Sequence, residues 1–170
     1  MEKNKSITIE KTFNLAVKNH QEGKTDIAQE LYNQVLKIDP NHSQSLNNIA
    51  IIFTNLKDYQ KAINTYEKAI AIDSNYTDAH SNLGIIFKEL GEIEKAKSCF
   101  EKAIEISPNH LSAHNSLGII FKELKDYQKA IRCYEKAIAI NPNYANAHYN
   151  LGVTYQDLGE NQKAIGCYEK

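Results

Sequence analysis

The sequence predicts an all-α fold made of repeated pairs of antiparallel helices, and three observations support that prediction. The first is self-similarity with a period of 34 residues: the run His80–Leu90 returns as His114–Leu124 and, more loosely, as His148–Tyr155. The second is the spacing of apolar residues, which recur at helical intervals in two groups within each period. The third is the glycine and proline that separate those groups. A fixed period of this length is typical of stacked units that bury their apolar faces against their neighbours.

The period divides the chain into a polar N-terminal segment, residues 1–8, and a repeat domain, residues 9–170. The predicted repeats are 9–42, 43–76, 77–110, 111–144 and a partial 145–170. Each repeat is expected to hold a first helix, a short turn, a second helix and a stop. Lys170 falls inside the predicted second helix of the fifth repeat, so we expect the parent protein to continue.

Turn and stop signals fall at constant positions of the period. The turn between the two helices needs a residue that tolerates the left-handed conformation. That position holds Gly23, Lys57, Gly91, Lys125 and Gly159 in successive repeats. Proline lacks a backbone N–H and ends the second helix. It stands at the end of three repeats, as Pro40, Pro108 and Pro142, and Ser74 replaces it once.

Small and large side chains alternate where the two helices of a repeat must cross. Small residues stand on the first helices at Ala16, Ala50, Gly84, Gly118 and Gly152, and on the second at Ala28, Ala62, Ala96, Ala130 and Ala164. Aromatic residues follow on the first helices at Phe53, Phe87, Phe121 and Tyr155, and on the second at Tyr32, Tyr66, Phe100, Tyr134 and Tyr168. Interdigitated helix packing requires this alternation. We interpret the aromatic columns as core and not as a ligand cage.

The order leucine, small residue, aromatic, alanine, aromatic, alanine, proline at these spacings resembles the tetratricopeptide repeat, from about Ile9 to Lys170. The first repeat departs from the pattern, with Asn19 in place of an aromatic and Val35 in place of alanine. The run Ala79–Gly84 is similar to repeats of O-linked N-acetylglucosamine transferases and related bacterial proteins. The resemblance implies a right-handed superhelical solenoid, with the first helices lining a concave groove. It also implies a non-catalytic scaffold that binds protein or peptide in that groove.

Candidate partner contacts follow from the positions that line the groove in this family. The sixth position of successive repeats gives an amide row, broken once: Asn14, Asn48, Asn82, Ser116 and Asn150. An amide offers donors and acceptors that can pair with a peptide backbone of any sequence. The alternative interpretation is that these amides bond neighbouring helices or face water. The residue pattern leaves both open.

Further candidates on the same face are apolar, charged or aromatic. The ninth position gives an aliphatic stripe formed by Val17, Ile51, Ile85, Ile119 and Val153, which either receives a partner's apolar side chains or packs between adjacent first helices. Lys88 and Lys122 are expected on a solvated rim, and Asn47 and Tyr149 complete the predicted contact set. A separate end-on contact with another copy is predicted at Leu151, Tyr155, Ala164 and Tyr168.

Composition narrows the classes of partner and the location. Twenty lysines and arginines nearly balance 21 acidic residues, which argues against nucleic acid as a partner. The N-terminus has no long apolar run, so we expect neither a membrane span nor export, and we predict a cytoplasmic protein. Cys99, Cys133 and Cys167 are spaced like the repeats and are interpreted as reduced residues at helix contacts, too far apart to pair.

No motif for catalysis, a metal or a cofactor is found in the sequence. His80, His114 and His148 occupy one position on successive helices and should not converge on one ion. The glycines mark turns and close crossings and form no phosphate-binding loop. We therefore predict no enzyme activity and no cofactor. Two alternatives remain: a substrate-recruiting arm of a longer enzyme, such as a glycosyltransferase or sulfotransferase, or an oligomer that assembles through its ends.

Overall fold

The computed structural model describes the backbone of residues 2–170 and the side chains of residues 5–170. Within that range the chain forms ten α-helices and no strand, which confirms the predicted all-α fold. The helices are α1 Glu2–Gln21, α2 Thr25–Ile38, α3 Ser43–Asn55, α4 Tyr59–Ile72, α5 Thr77–Glu89, α6 Ile93–Ile106, α7 Leu111–Glu123, α8 Tyr127–Ile140, α9 Ala145–Asp157 and α10 Asn161–Tyr168. Since α1 begins at Glu2, the polar segment predicted at residues 1–8 is, from Glu2, part of the first helix.

The chain divides into two compact units, one ending at Ile86 (unit 1) and one beginning at Phe87 (unit 2). In unit 1, α1 packs against α2, α2 against α3, and α3 against α4. In unit 2 the same order continues from α6 to α10, and α7 also contacts α9. Within each of these two series, every helix packs against the next one in the chain, as short turns between antiparallel helices require.

The core combines apolar residues of the first helices, such as Ala50, Ile52 and Ile120, with the alanine and aromatic columns of the second helices. Ala28, Ala62, Ala96 and Ala130 are fully buried, and so are the aromatic rings beside them at Tyr32, Tyr66, Phe100 and Tyr134. A methyl side chain lets the two helix axes approach closely enough for each ring to fill the adjoining gap. Tyr168, at the same position in the last repeat, is 46% exposed.

The turn between first and second helices adopts the left-handed conformation at every repeat. The φ angles are 75° at Gly23, 59° at Lys57, 75° at Gly91, 62° at Lys125 and 77° at Gly159. Lysine accepts this conformation at a cost of roughly 1–2 kcal/mol relative to glycine. The turn geometry is therefore set by the helix packing on either side, whichever residue stands there.

A lysine that bridges an acid and an aromatic ring joins the two helices of the later repeats near this turn. Lys61 Nζ lies 2.7 Å from Asp58 Oδ2 and 5.5 Å from the centroid of the Phe53 ring. The same arrangement recurs with Lys95, Glu92 and Phe87, with Lys129, Asp126 and Phe121, and with Lys163, Glu160 and Tyr155. The first repeat carries Asn19 at the aromatic position and Ile27 at the lysine position, so it has neither partner of the cation–π contact. An exposed cation–π contact of this kind contributes about 0.5–1 kcal/mol.

Five histidines form hydrogen bonds at the junctions between repeats. The Nε2–H groups of His80, His114 and His148 donate to the carbonyls of Ser74, Pro108 and Pro142 at 3.0, 2.8 and 2.8 Å. His42 and His110 instead cap helices, since their Nδ1 atoms accept the backbone N–H groups of Ser45 and Ala113 at 3.2 Å. Burial lowers the pKa of His42, which favours the neutral ring that this cap needs. These bonds give all five side chains a structural role.

In the part of the chain that the structure describes, no helix combines the length and the apolar character needed to cross a membrane.

Candidate functional site

The side chains predicted to meet a partner project from the first helices of the repeats, and we call this surface the first-helix face. In unit 1 it comprises Asn14, Val17, Asn48, Ile51, Asn82 and Ile85. In unit 2 it comprises Lys88, Ile119, Lys122, Tyr149, Asn150 and Val153. Residues three apart on a helix share a face, which places the sixth and ninth positions of a repeat side by side. Asn14 and Tyr149 are exposed, and the others are half-buried.

Asn48 uses only part of its hydrogen-bonding capacity within the protein. Its Nδ2 donates to the Tyr32 hydroxyl at 3.1 Å, and its Oδ1 accepts from Asn47 Nδ2 at 3.2 Å. An asparagine side chain has two N–H donors and an oxygen with two lone pairs. One donor and one lone pair therefore remain, so a structural and a binding role are compatible in one residue.

The same tyrosine–asparagine junction recurs one repeat later, between Tyr66 and Asn82. Burial raises the pKa of Tyr66 to about 12, and hydrogen bonds from Thr54 and Asn82 oppose part of that rise. The hydroxyl is thus protonated at neutral pH. At these two junctions, the asparagine of one repeat forms a hydrogen bond with the tyrosine hydroxyl of the repeat before it.

In unit 2 the junction between the last two repeats is built differently. Asn150 Nδ2 donates to Asn115 Oδ1 at 3.1 Å and not to Tyr134. The Tyr134 hydroxyl is buried and makes no hydrogen bond of normal geometry among the described residues. The nearby Thr154 hydroxyl donates to the Asn150 carbonyl at 2.7 Å and opposes only part of the rise in the Tyr134 pKa that burial causes. The junction before it carries Phe100 and Ser116, so it has neither the hydroxyl nor the amide.

We expect the change Tyr134→Phe to raise the free energy of unfolding by about 0.5–1 kcal/mol, because it removes a buried hydroxyl that has no asparagine donor and makes no hydrogen bond of normal geometry, with only Thr154 nearby. Phe100, at the equivalent position, shows that a phenylalanine ring fits this packing. The matched control is Tyr32→Phe, which should lower the stability by a similar amount because it breaks the bond from Asn48. Urea unfolding followed by circular dichroism measures both changes. If both variants changed the free energy of unfolding by the same amount in the same direction, the described difference between the Tyr32 and Tyr134 junctions would be wrong.

Unit 1 carries an open depression on its first-helix face. Its volume is about 280 Å³, and it is lined by Val17, His20, Gln21, Tyr32, Asn48 and Ile51, so we call it the unit 1 depression. The side chains come from α1 and α3, together with the buried Tyr32 of α2. The His20 and Tyr32 rings lie 6.1 Å apart in an edge-on arrangement, and burial lowers the pKa of His20.

The first-helix face of unit 2 is charged where that of unit 1 is neutral. Lys122 Nζ lies 3.9 Å from Asp157 Oδ2, a loose pair between side chains that are 28% and 43% exposed. Tyr149 is 63% exposed and lies 6.1 Å from the ring of Tyr168. A surface ion pair of this length adds little stability, and its charges remain available to solvent.

A larger depression in unit 2 lies elsewhere, between the C-terminal ends of α6 and α8. It has a volume of about 550 Å³ and is lined by Ile104, Pro108, Asn109, His114, Lys136, Ala139 and Ile140. His114, its buried polar group, already donates to Pro108. Its other polar side chains are those of Asn109 and Lys136, which are exposed at its edge.

Several predicted contact residues lie inside the packing. Asn47 is 4% exposed, so it does not lie on an accessible surface; it packs between helices and donates to Asn48. Leu151 and Ala164, predicted as end-on contacts, are 6% and 3% exposed because α9 and α10 pack against each other. Tyr155 is half-buried and Tyr168 is exposed, and end-on docking stays a prediction.

The residue-based prediction also missed three members of the unit 1 depression, namely His20, Gln21 and Tyr32. Tyr32 belongs to a column that was interpreted only as core. His20 and Gln21 occupy the twelfth and thirteenth positions of the first repeat. Comparing those positions with Lys88, Glu89, Lys122 and Glu123 in later repeats would have singled them out as uncharged.

Among the side chains that the structure describes, no group of three or more histidine, cysteine or acidic residues is placed to hold a metal ion. The three cysteines are half-buried, and burial raises the pKa of the Cys133 thiol to about 11. A thiol with so high a pKa is a poor nucleophile at neutral pH.

Comparison with known proteins places the repeats in a family. Models described as "TPR repeat" match residues 52–91 and 119–159, and models described as "Tetratricopeptide repeat" match 13–42, 31–64, 77–110 and 99–132. A 44-residue stretch is 43% identical to the uncharacterized protein ycf37 of Pyropia yezoensis. The match covers 26% of this chain and 25% of the length of ycf37.

Two solved structures extend the comparison to the whole fold. A crystal structure of MamA superposes with a TM-score of 0.78 at 26% identity, over 91% of this chain and 90% of that one. YrrB, described as a TPR protein with an unusual peptide-binding site, superposes with a TM-score of 0.71 at 21% identity, over 92% of this chain and 80% of that one. The repeat matches run without a gap from residue 13 to residue 159, and the chain belongs to the tetratricopeptide repeat family.

Proposed function

We propose that this chain is a non-catalytic protein-interaction scaffold that binds an extended polypeptide segment along its first helices. Tetratricopeptide repeats are typically interaction scaffolds, and family membership supports the general role. The observation that carries the specific proposal is the unit 1 depression, where apolar walls lie beside an amide with unused hydrogen-bonding capacity.

The chemistry of that site suits a polypeptide better than a small metabolite. Val17 and Ile51 offer apolar contact, and the remaining N–H and lone pair of Asn48 match the carbonyl and N–H of a peptide group. A depression of about 280 Å³ is slightly smaller than the range of roughly 300–1,000 Å³ typical of small-molecule pockets. It suits one side chain of a longer ligand that continues along the face.

A similarity in fold adds indirect support. YrrB, at 21% identity, carries a peptide-binding site according to its description. We carry over to this chain only the general expectation that stacked helix pairs of this kind can hold a peptide.

The test is selection of peptides from a phage-displayed library of random 12-residue sequences, using this chain as bait. We expect the double variant Asn48→Ala, Asn82→Ala to weaken binding of the selected peptides by roughly tenfold, which corresponds to about 1.4 kcal/mol from lost hydrogen bonds. Fluorescence anisotropy with the labelled peptides measures the affinities.

The matched control is Asn64→Ala, which removes an exposed amide of α4 whose Oδ1 accepts from Gln60 Nε2 at 3.1 Å, away from the first helices. This variant should bind the selected peptides like the wild type. Equal weakening by both variants would indicate that removing any amide lowers binding, and would contradict a specific role of the first-helix asparagines. Failure to select any peptide that competes for the first-helix face would contradict the proposed function.

Two other functions stay predictions. A substrate-recruiting arm of a longer enzyme would use the same face, and the parent reading frame distinguishes it from a stand-alone scaffold. Assembly through the ends would use Tyr168 and the neighbouring exposed Ile165, since Leu151 and Ala164 are buried.

A further inference from the structure

The two units differ in the charges of their first-helix faces. At the sixth, ninth, twelfth and thirteenth positions, unit 1 carries only uncharged types: Asn14, Val17, His20, Gln21, Asn48, Ile51, Thr54, Asn55, Asn82 and Ile85. At the same positions unit 2 carries five charged residues: Lys88, Glu89, Lys122, Glu123 and Asp157. The lining of the unit 1 depression likewise contains no lysine, arginine, aspartate or glutamate.

The titratable groups of the unit 1 depression are neutral at pH 7. Burial lowers the pKa of His20, which keeps its ring uncharged. Burial also raises the pKa of Tyr32, an effect that the hydrogen bond from Asn48 partly opposes, so its hydroxyl stays protonated. Near His20, Lys18 of α1 and Lys24 of the following turn lie 4.0 Å and 2.7 Å from the Glu22 carboxylate, so one positive charge is left over, on lysines that are 71% and 55% exposed and outside the lining of the depression.

A charged side chain in this depression would lose hydration without gaining a partner of opposite charge. Because the depression is open, the loss of hydration is partial, but without a counter-charge it still favours an uncharged side chain over a charged one. An aliphatic or aromatic side chain would instead bury apolar surface against Val17 and Ile51, at about 25 cal/mol per Å².

We infer, on the basis of the proposed function, that the unit 1 depression selects an uncharged polypeptide segment. One aliphatic or aromatic side chain of that segment binds between α1 and α3. The peptide groups flanking that side chain pair with the unused donor and acceptor of Asn48. The partner is thus a neutral stretch with apolar side chains, and neither an acidic tail nor a basic one.

The test uses three end-blocked peptides, acetyl-Gly-Asn-Gly-X-Gly-Asn-Gly-amide, in which X is leucine, lysine or glutamate. Each is titrated into ¹⁵N-labelled protein at pH 7, and amide shifts in the NMR spectrum report both affinity and location. We expect the leucine peptide to shift Val17 and Ile51 and to bind at least about tenfold more tightly than either charged peptide, equivalent to about 1.4 kcal/mol.

A pair of isoleucine-to-lysine variants tests the cause of the selectivity. Ile51→Lys places a cation in the wall of the depression and should reverse the preference toward the glutamate peptide. Ile27→Lys places the same charge at an exposed position of α2, where the later repeats already carry lysine, and should leave the preference for leucine unchanged. Circular dichroism establishes that each variant is folded.

The outcomes separate this inference from the function on which it rests. Equal affinities for the three peptides, or shifts confined to Lys122 and Tyr149, would overturn the selectivity and leave peptide binding in place. If none of the three peptides binds but library-selected peptides do, the inference alone is wrong. If neither kind binds, both are wrong.

Discussion

Replacing Phe100 by alanine is expected to lower the free energy of unfolding by about 3–5 kcal/mol. The ring is fully buried in unit 2, at the position where the second helices stack their aromatic residues. The change loses the transfer free energy of the ring and leaves a cavity that the neighbouring helices can close only in part. Domains are stable by only about 5–15 kcal/mol, so this variant should unfold at markedly lower urea concentration.

The control for this change is Leu124→Ala, which also removes an apolar side chain from unit 2. Leu124 is 50% exposed, and we expect its loss to cost less than about 1 kcal/mol. Urea unfolding followed by circular dichroism gives both values. A loss at Leu124 as large as that at Phe100 would contradict the assignment of the aromatic column as the core.

The change Gly118→Val is expected to lower the free energy of unfolding by roughly 2–3 kcal/mol through overpacking. A β-carbon at Gly118 would lie 2.6 Å from Cε1 of Tyr134, which is fully buried and cannot swing away. Ala16 and Ala50 stand at the same position of the first two repeats, so a methyl group can be accommodated by a slight separation of the helices. Valine adds two further carbons to this crossing.

Gly166→Ala serves as the control, since a β-carbon at Gly166 has no neighbour within 4 Å. It should raise the stability by up to about 1 kcal/mol, because alanine favours a helix more than glycine does. Thermal unfolding by calorimetry gives the order of stability of the wild type, Gly118→Val and Gly166→Ala. A Gly118→Val protein as stable as the wild type would mean that the two helices cross less closely than described.

The helix pairs and their core were predictable from the sequence because the period repeats each environment. Ala96 and Phe100 have counterparts 34 residues away on either side, so one explanation must fit every copy. Only close crossing of two helices requires both a small residue and an aromatic residue at fixed spacing. The left-handed turn was predictable on the same ground, even where Lys57 replaces glycine.

The hydrogen bonds of the asparagines could not be predicted from position alone, because each depends on a residue of the preceding repeat. Asn150 meets Asn115, whose Oδ1 accepts its hydrogen bond. The residue that corresponds to Asn115 in the first repeat is Phe13, which has no acceptor, and Asn48 bonds Tyr32 instead. One repeat position thus makes two different bonds.

The burial of Asn47 has a similar cause. Its position in the family pattern suggested a partner contact, yet the side chain lies between helices and donates to its neighbour Asn48. Whether such a side chain turns inward or outward depends on small shifts in helix rotation that the residue pattern does not encode.

The tyrosine–asparagine junctions also constrain how such a chain can be recombined. Tyr32 and Asn48 are 16 residues apart and belong to different repeats, so a crossover between them separates two side chains that bond each other. Pairing a tyrosine-bearing segment with the downstream segment that carries Ser116 would leave the tyrosine hydroxyl without the asparagine donor that Tyr32 has. Engineers who splice these modules should therefore place their breakpoints outside the stretch from the aromatic of one repeat to the amide of the next.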